Sequence, residues 1–373
     1  MFRARFTELP LVHAGSDLDG CLAWLIESLR LTRQRPMTSG GTADEPVHRI
    51  LRTMIVGGPR GWDAKELADV LGSTPQAVHH HLRRLVETGL IRALDDRSGW
   101  RQHFLRGGTI STAIERLTEE SRTVLSSRLA ELGRHWIRED EVDPRASLDA
   151  DPPPLHVHVT EWCPPRTDDA SALTMWMDGL GMLGERSSSA LNRGSDHERI
   201  LLLLLARTDS ASAGSIASDL DITTSKATRV LERFRASGLV ERVPQHGILG
   251  LMIWQRMRAQ LDRRGPAWIR GRGGLDRFLS NADAEAILEG LTSGDLDPDD
   301  FEQRLSVMSI EDQAVLLNLL GGRLPMGYRM VAGTARGCAR VVLDRFDPVL
   351  RRLERVGRMI EDNTAPDAVD GDR

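Results

Sequence analysis

The strongest constraint on this chain is a repeat within it. The segment LADVLGSTPQAVHHHLRRLVETGLI, Leu67 to Ile91, aligns without a gap on IASDLDITTSKATRVLERFRASGLV, Ile216 to Val240, at an offset of 149 residues. Ala68 falls on Ala217, Leu71 on Leu220, Leu82 on Leu231, Leu85 on Phe234, Gly89 on Gly238, Leu90 on Leu239 and Ile91 on Val240. Upstream, Leu51, Met54 and Ile55 fall on Ile200, Leu203 and Leu204. An apolar pattern kept over this length implies one fold built twice.

Each copy has a readable local structure. Leu67, Ala68, Val70 and Leu71 make the apolar face of a short helix, which Gly72 ends. Ser73 or Thr74 caps the next helix, and Pro75 suits its first turn. That helix carries Val78, Leu82, Leu85 and Val86 at helical spacing, with Gln76, His79, His80, Arg83 and Arg84 on its other face. Gly89 closes it. A strand over 90–94, a turn at 95–99 and a return strand over 100–105 complete a β-hairpin.

Helix, turn, helix and hairpin in this order is the winged helix-turn-helix layout. The segment TPQAVHHHLRRLVETGLI with its hairpin ending RQHFLRG resembles the recognition helix and wing of ArsR-like regulators. TTSKATRVLERFRASGLVERV is more similar to the MarR-like version. The resemblance covers roughly a third of the chain and implies a DNA-binding transcription regulator that places its second helix in the major groove. Carried over by position, the first copy's contacts to double-stranded DNA are Thr74, Gln76, Ala77, His80, Arg83 and Arg84, with Arg97 and Arg101 on the wing facing phosphate. In the second copy they are Thr224, Ser225, Lys226, Arg229 and Arg233. The second wing, Pro244 to Gly247, is expected to be short and carries no Arg.

Charge is informative only by region. The chain as a whole carries a net charge of -5. Residues 46–108 hold ten Lys and Arg against six Asp and Glu, and residues 196–264 hold eleven against eight. Acidic side chains gather instead at 139–151, 295–302 and 361–372. An acidic total also fits the alternative function, an adaptor or chromosome-organisation subunit whose winged helices grip protein.

The expected fold class is mainly α with small β-wings: two winged helix-turn-helix domains and a C-terminal helical domain. Residues 1–43 form an N-terminal helical segment, with Leu18, Leu22, Leu25, Ile26 and Leu29 on one face, and a linker. Residues 44–140 hold the first winged helix and a long following helix, from Ile110 to Trp136, that either pairs two subunits as a homodimer or packs on its own domain. Residues 141–194 are a linker, ending its acidic part in Pro152–Pro154, with a strand over 155–159 and a helical segment. Residues 195–265 are the second winged helix. Residues 266–373 are a helical region with a disordered tail, whose helices start at Asp297–Pro298, at Ser309 and at Asp347–Pro348.

Catalytic signatures are missing from the sequence. It contains no P-loop, dinucleotide fingerprint, zinc-protease motif or Cys-x-x-Cys pair, so an enzyme is not expected, nor an organic cofactor. His156 and His158 alternate on a strand with Cys163 nearby, a candidate metal site for a soft ion. Three scattered cysteines, no signal-peptide pattern and no apolar run long enough for a bilayer point to a cytoplasmic protein.

Overall fold

The computed structural model describes residues 2–32, 45–95, 101–137, 149–161, 171–184 and 193–364. It is mainly helical with small sheets, and one order of elements runs through it twice. The first run is β1 (Arg3–Thr7), α1 (Leu18–Ser28), α2 (Pro46–Val56), α3 (Ala64–Leu71), α4 (Pro75–Glu87), β2 (Ile91–Asp95), β3 (Arg101–Leu105) and α5 (Ile110–Ala130). The second begins with β4 (His156–Thr160), α6 (Ala172–Gly179), α7 (Asp196–Ala206), α8 (Ala213–Leu220), α9 (Thr224–Ala236) and β5 (Val240–Pro244). Six helices intervene: α10 (Leu249–Arg264), α11 (Pro266–Gly271), α12 (Leu275–Phe278), α13 (Asn281–Ser293), α14 (Pro298–Leu305) and α15 (Ile310–Leu319). Then β6 (Met326–Met330) and α16 (Ala335–Asp362) close the run.

Local chemistry sets the same boundaries in both runs. Asp63 caps α3 by accepting from the Glu66 amide, and Ser212 caps α8 by accepting from the Ser215 amide. Gly72 ends α3 in the left-handed region at φ 61°. Asp221 takes the equivalent place at φ 52°, a conformation that Asp tolerates through its short polar side chain. Pairing Ile50, Leu51, Met54 and Ile55 with Ile200, Leu201, Leu204 and Leu205 superposes the buried faces of α2 and α7. This moves the upstream alignment by one residue from the gapless expectation, because the connection Arg207–Ser212 is one residue shorter than Gly57–Asp63. Val70, expected on the apolar face of α3, is exposed.

The hairpins match down to an added edge bridge. β2 pairs antiparallel with β3, and Trp62 bridges to His103. β5 pairs antiparallel with β6, and Ala211 bridges to Tyr328. The second hairpin is therefore not the short turn expected at Pro244 to Gly247. Its strands are separated by residues 245–325, where the first hairpin has only 96–100 between its strands. The inserted helices bury a core of their own that includes Ile253, Met257, Ile287, Phe301, Leu316 and Leu317. The Asp297 and Ser309 caps fall where expected, accepting from the Asp300 and Asp312 amides.

This redraws the expected C-terminal region. Residues 249–320 form the inserted body, whereas β6 and α16 belong to the larger core with β1 to β5 and the helices among them. Asp347–Pro348 starts no helix; it lies inside α16. A proline there lacks the amide that would bond one turn back. The helix continues because its buried face, Val342, Phe346, Val349, Leu350 and Leu353, is held by packing.

That packing joins the two runs. α5, the helix expected to pair two subunits or to lie on its own domain, packs antiparallel against α16 of the same chain. Arg122 binds Asp347 at 2.9 Å, Thr118 donates to Glu354 at 2.8 Å, and a Cβ on Gly357 would meet Ile114 at 2.9 Å. β1 pairs antiparallel with β4, placing Arg5 opposite His158. Phe6 meets Phe346 edge to face at 5.0 Å. One continuous core thus runs through both halves.

Two outcomes test this arrangement. Phe346→Ala empties a fully buried position and is expected to cost about 3–5 kcal/mol. Because the core is shared, denaturant melts followed in either half should shift together. His158 is buried, and its imidazole is pushed down to about 3, first by burial and then by the charges of Arg5, Arg30 and Arg3. The folded form keeps it neutral while the unfolded chain takes up a proton below about 6.5. Its contribution is complete above that value and declines as pH falls toward 3. Melting temperature should therefore drop between pH 7.5 and pH 5, and less so in His158→Phe.

Candidate nucleic-acid interface

α4 follows the left-handed turn at Gly72 and begins at Thr74, whose side chain accepts from the Ala77 amide at 3.3 Å. Val78, Leu82 and Leu85 turn inward, which leaves Thr74, Gln76, Ala77, His79, His80 and Arg83 exposed on one flank. Arg83 pairs with Glu87 one turn on, at 3.1 Å. Such an exposed pair is worth well under about 1 kcal/mol and yields readily to a phosphate. At the exposed N-terminus of α4, Pro75 has no amide and Thr74 takes that of Ala77, so the start of the helix offers an anion the Gln76 amide and the positive end of the helix dipole.

α9 repeats this geometry with different chemistry. Its cap is Thr223, which accepts from the Lys226 amide; the expected contact Thr224 is the first helical residue, one place further on than the counterpart of Thr74. Thr224, Ser225, Lys226, Arg229 and Arg233 are all exposed. Lys226 is ion-paired with Asp196 of α7. Glu232 takes the position that Arg83 holds in α4, and accepts from Tyr328 at 2.7 Å. The flank of α9 is therefore partly neutralised, whereas the ion pair found on the flank of α4 among the described residues is Arg83–Glu87.

Two expected contacts turn out to be anchors. Arg84 donates to the Arg30 carbonyl, just beyond α1, and its counterpart Arg233 donates to the Leu183 carbonyl beyond α6 at 3.2 Å. Each ties the end of its helix to the preceding segment. Arg233 also lies 3.4 Å from His197, whose imidazole is pushed down to about 4 by burial and then by Arg233. A third anchor had no signal in the sequence. Arg235 grips the buried Asp149 through Nε and Nη2 at 2.6 and 2.7 Å, and Asp149 also accepts the Arg242 amide. Burial is the largest single influence on the Asp149 carboxyl and would raise it; the Arg235 hydrogen bond, the Arg242 amide and the Arg235 charge together outweigh burial and hold the group below the usual range.

On the first hairpin, Arg101 is exposed and pairs with Asp95 at 3.1 Å. Arg97 lies outside the described residues, as does Cys163. His156 contacts the Thr7 hydroxyl at 3.0 Å, and the His158 ring packs over Gly181, within 2.3 Å of where a Cβ there would sit. No cluster of three metal-ligating side chains occurs among the described residues. Cys21 and Cys338 are buried, and burial pushes the Cys21 thiol up. No helix among the described residues is long and apolar enough to cross a membrane.

No curated protein matches this chain, and no solved structure matches it. A family match falls on the elements just described: residues 49–92, from α2 through α4 to the start of β2, match the model of a helix-turn-helix domain, a fold unit suited to binding DNA.

Proposed function

We propose that the chain is a transcriptional regulator that binds double-stranded DNA through two winged helix-turn-helix units, with α4 and α9 as recognition helices. The observation that carries this reading is the flank of α4. A capped helix behind a left-handed turn, inside the matched helix-turn-helix segment, presents Gln76, His79, His80 and Arg83 to solvent. Gln76 suits an adenine edge in the major groove, and Arg83 suits a phosphate beside it. The recurrence of the same elements around α9 supports a second unit, as does the similarity of the two segments to ArsR-like and MarR-like regulators. In this reading the protein acts by binding, catalyses no reaction and works in the cytoplasm, where the DNA lies.

Binding through several phosphates must weaken steeply with salt. Fluorescence anisotropy on mixed-sequence duplex DNA at 50 and 200 mM salt should show a loss of affinity of tenfold or more. A triple change of Gln76, His80 and Arg83 to Ala should abolish most of the binding with the melting temperature unchanged. Salt-independent binding, or none at either salt, would leave the protein-gripping adaptor as the better reading.

Arg84→Ala and Arg233→Ala should behave differently from that triple variant. Each removes a charged donor from a carbonyl and should lower stability by roughly 1–3 kcal/mol, read as a lower melting temperature without DNA.

A further inference from the structure

Regulators of this architecture commonly bind as symmetric dimers, and two identical recognition helices then require a palindromic site. In this chain the symmetry is covalent and broken. Arg5 and His158 face each other at the centre of the β1–β4 ribbon. Thr109 and Thr334 cap α5 and α16, and Arg122 and Asp347, which bind each other, occupy the same place counted from those caps. Both contacts are what a two-fold axis between the halves would produce: each joins a residue to its own counterpart. The surfaces along that axis, including Phe6, Ile114, Leu117, Phe346, Leu350 and Leu353, are already buried against each other. A second copy cannot use them.

The two recognition helices related by this axis share their threonine caps, Thr74 and Thr223, but differ at five positions beyond them. Gln76 stands opposite Ser225, Ala77 opposite Lys226, His79 opposite Thr228, His80 opposite Arg229 and Arg83 opposite Glu232. The α4 flank offers an amide that pairs with adenine; the α9 flank offers Arg229, which pairs with guanine. Glu232, held by Tyr328, disfavours phosphate where Arg83 would attract it.

We infer that one chain binds one non-palindromic duplex with two unlike half-sites, an adenine-containing half under α4 and a guanine-containing half under α9. This rests on the DNA-binding reading above and adds to it the stoichiometry and the form of the site. The test is enrichment of duplexes from a randomised pool by the purified full-length protein, followed by native mass spectrometry of the best duplex. The expected result is one chain per duplex and a motif of two different halves. Gln76→Ala should relax preference about tenfold in one half only, and Arg229→Ala in the other. Both side chains are exposed, so both variants should melt like the parent protein.

A palindromic motif carrying two chains per duplex would overturn the inference while sparing the regulator reading. Variants that weaken both halves equally would do the same. A pool that yields no enriched duplex would remove the regulator reading, and with it this inference.

Discussion

Everything in this molecule depends on the antiparallel packing of α5 on α16. Each helix follows the β-hairpin of its own half and has a broad apolar face that the other covers, with α1 adding to the cover of α16 and β4 to that of α5. Laid together, and joined by the β1–β4 ribbon, they merge two small cores into one. Small domains bury a lower fraction of their surface and are correspondingly marginal. Sharing a core relieves both halves of that limit. It also tolerates local defects, such as Pro348 within α16 and Asp221 in a left-handed turn, because helix propensity is a weak term beside tertiary burial.

The exposed flanks of α4 and α9 are what remain once this packing is satisfied. The inner faces of α4 and α9 are fixed by Val78, Leu82 and Leu85, and by Ala227, Val230, Leu231 and Phe234. Arg84 and Arg233 then lock the helix ends to the segments after α1 and α6. Beyond the caps at Thr74 and Thr223, the exposed side chains near the N-terminal ends of these helices take no part in holding the fold, while the arginines near the C-terminal ends do.

Much of this was legible in the sequence because it is local. The cap at Thr74, the stop at Gly72 and the 3.6-residue spacing of Val78, Leu82 and Leu85 depend on neighbours within a turn or two. The doubled Gly-Leu-Ile and Gly-Leu-Val ends gave the repeat. What could not be read was long-range pairing. β1 finds β4 across about 150 residues, and nothing in Arg3 to Thr7 announces its partner. Likewise β6 lacks any local signal that it completes the hairpin begun by β5, so the inserted helices merged with α16 into an apparent C-terminal bundle. The carbonyl partners of Arg84 and Arg233 were hidden for a related reason: an arginine on a polar flank looks the same from sequence whether its partner is a phosphate or a carbonyl supplied by a distant loop. The one-residue difference between Gly57–Asp63 and Arg207–Ser212 was invisible because connections tolerate length changes that buried faces do not.

The insertion between β5 and β6 has a consequence for how the protein is made. Were residues 245–325 an unstructured loop, closing it would cost about 2.5 kcal/mol more than closing the short loop of the first hairpin. With its own apolar centre the insert can collapse early and bring its two ends close, which removes much of that cost. On a ribosome, however, α16 emerges last. Until it does, the apolar side of α5 stays wet and the first half waits incomplete, a long interval in which a nascent chain needs shielding and in which premature termination would release a protein with no finished centre.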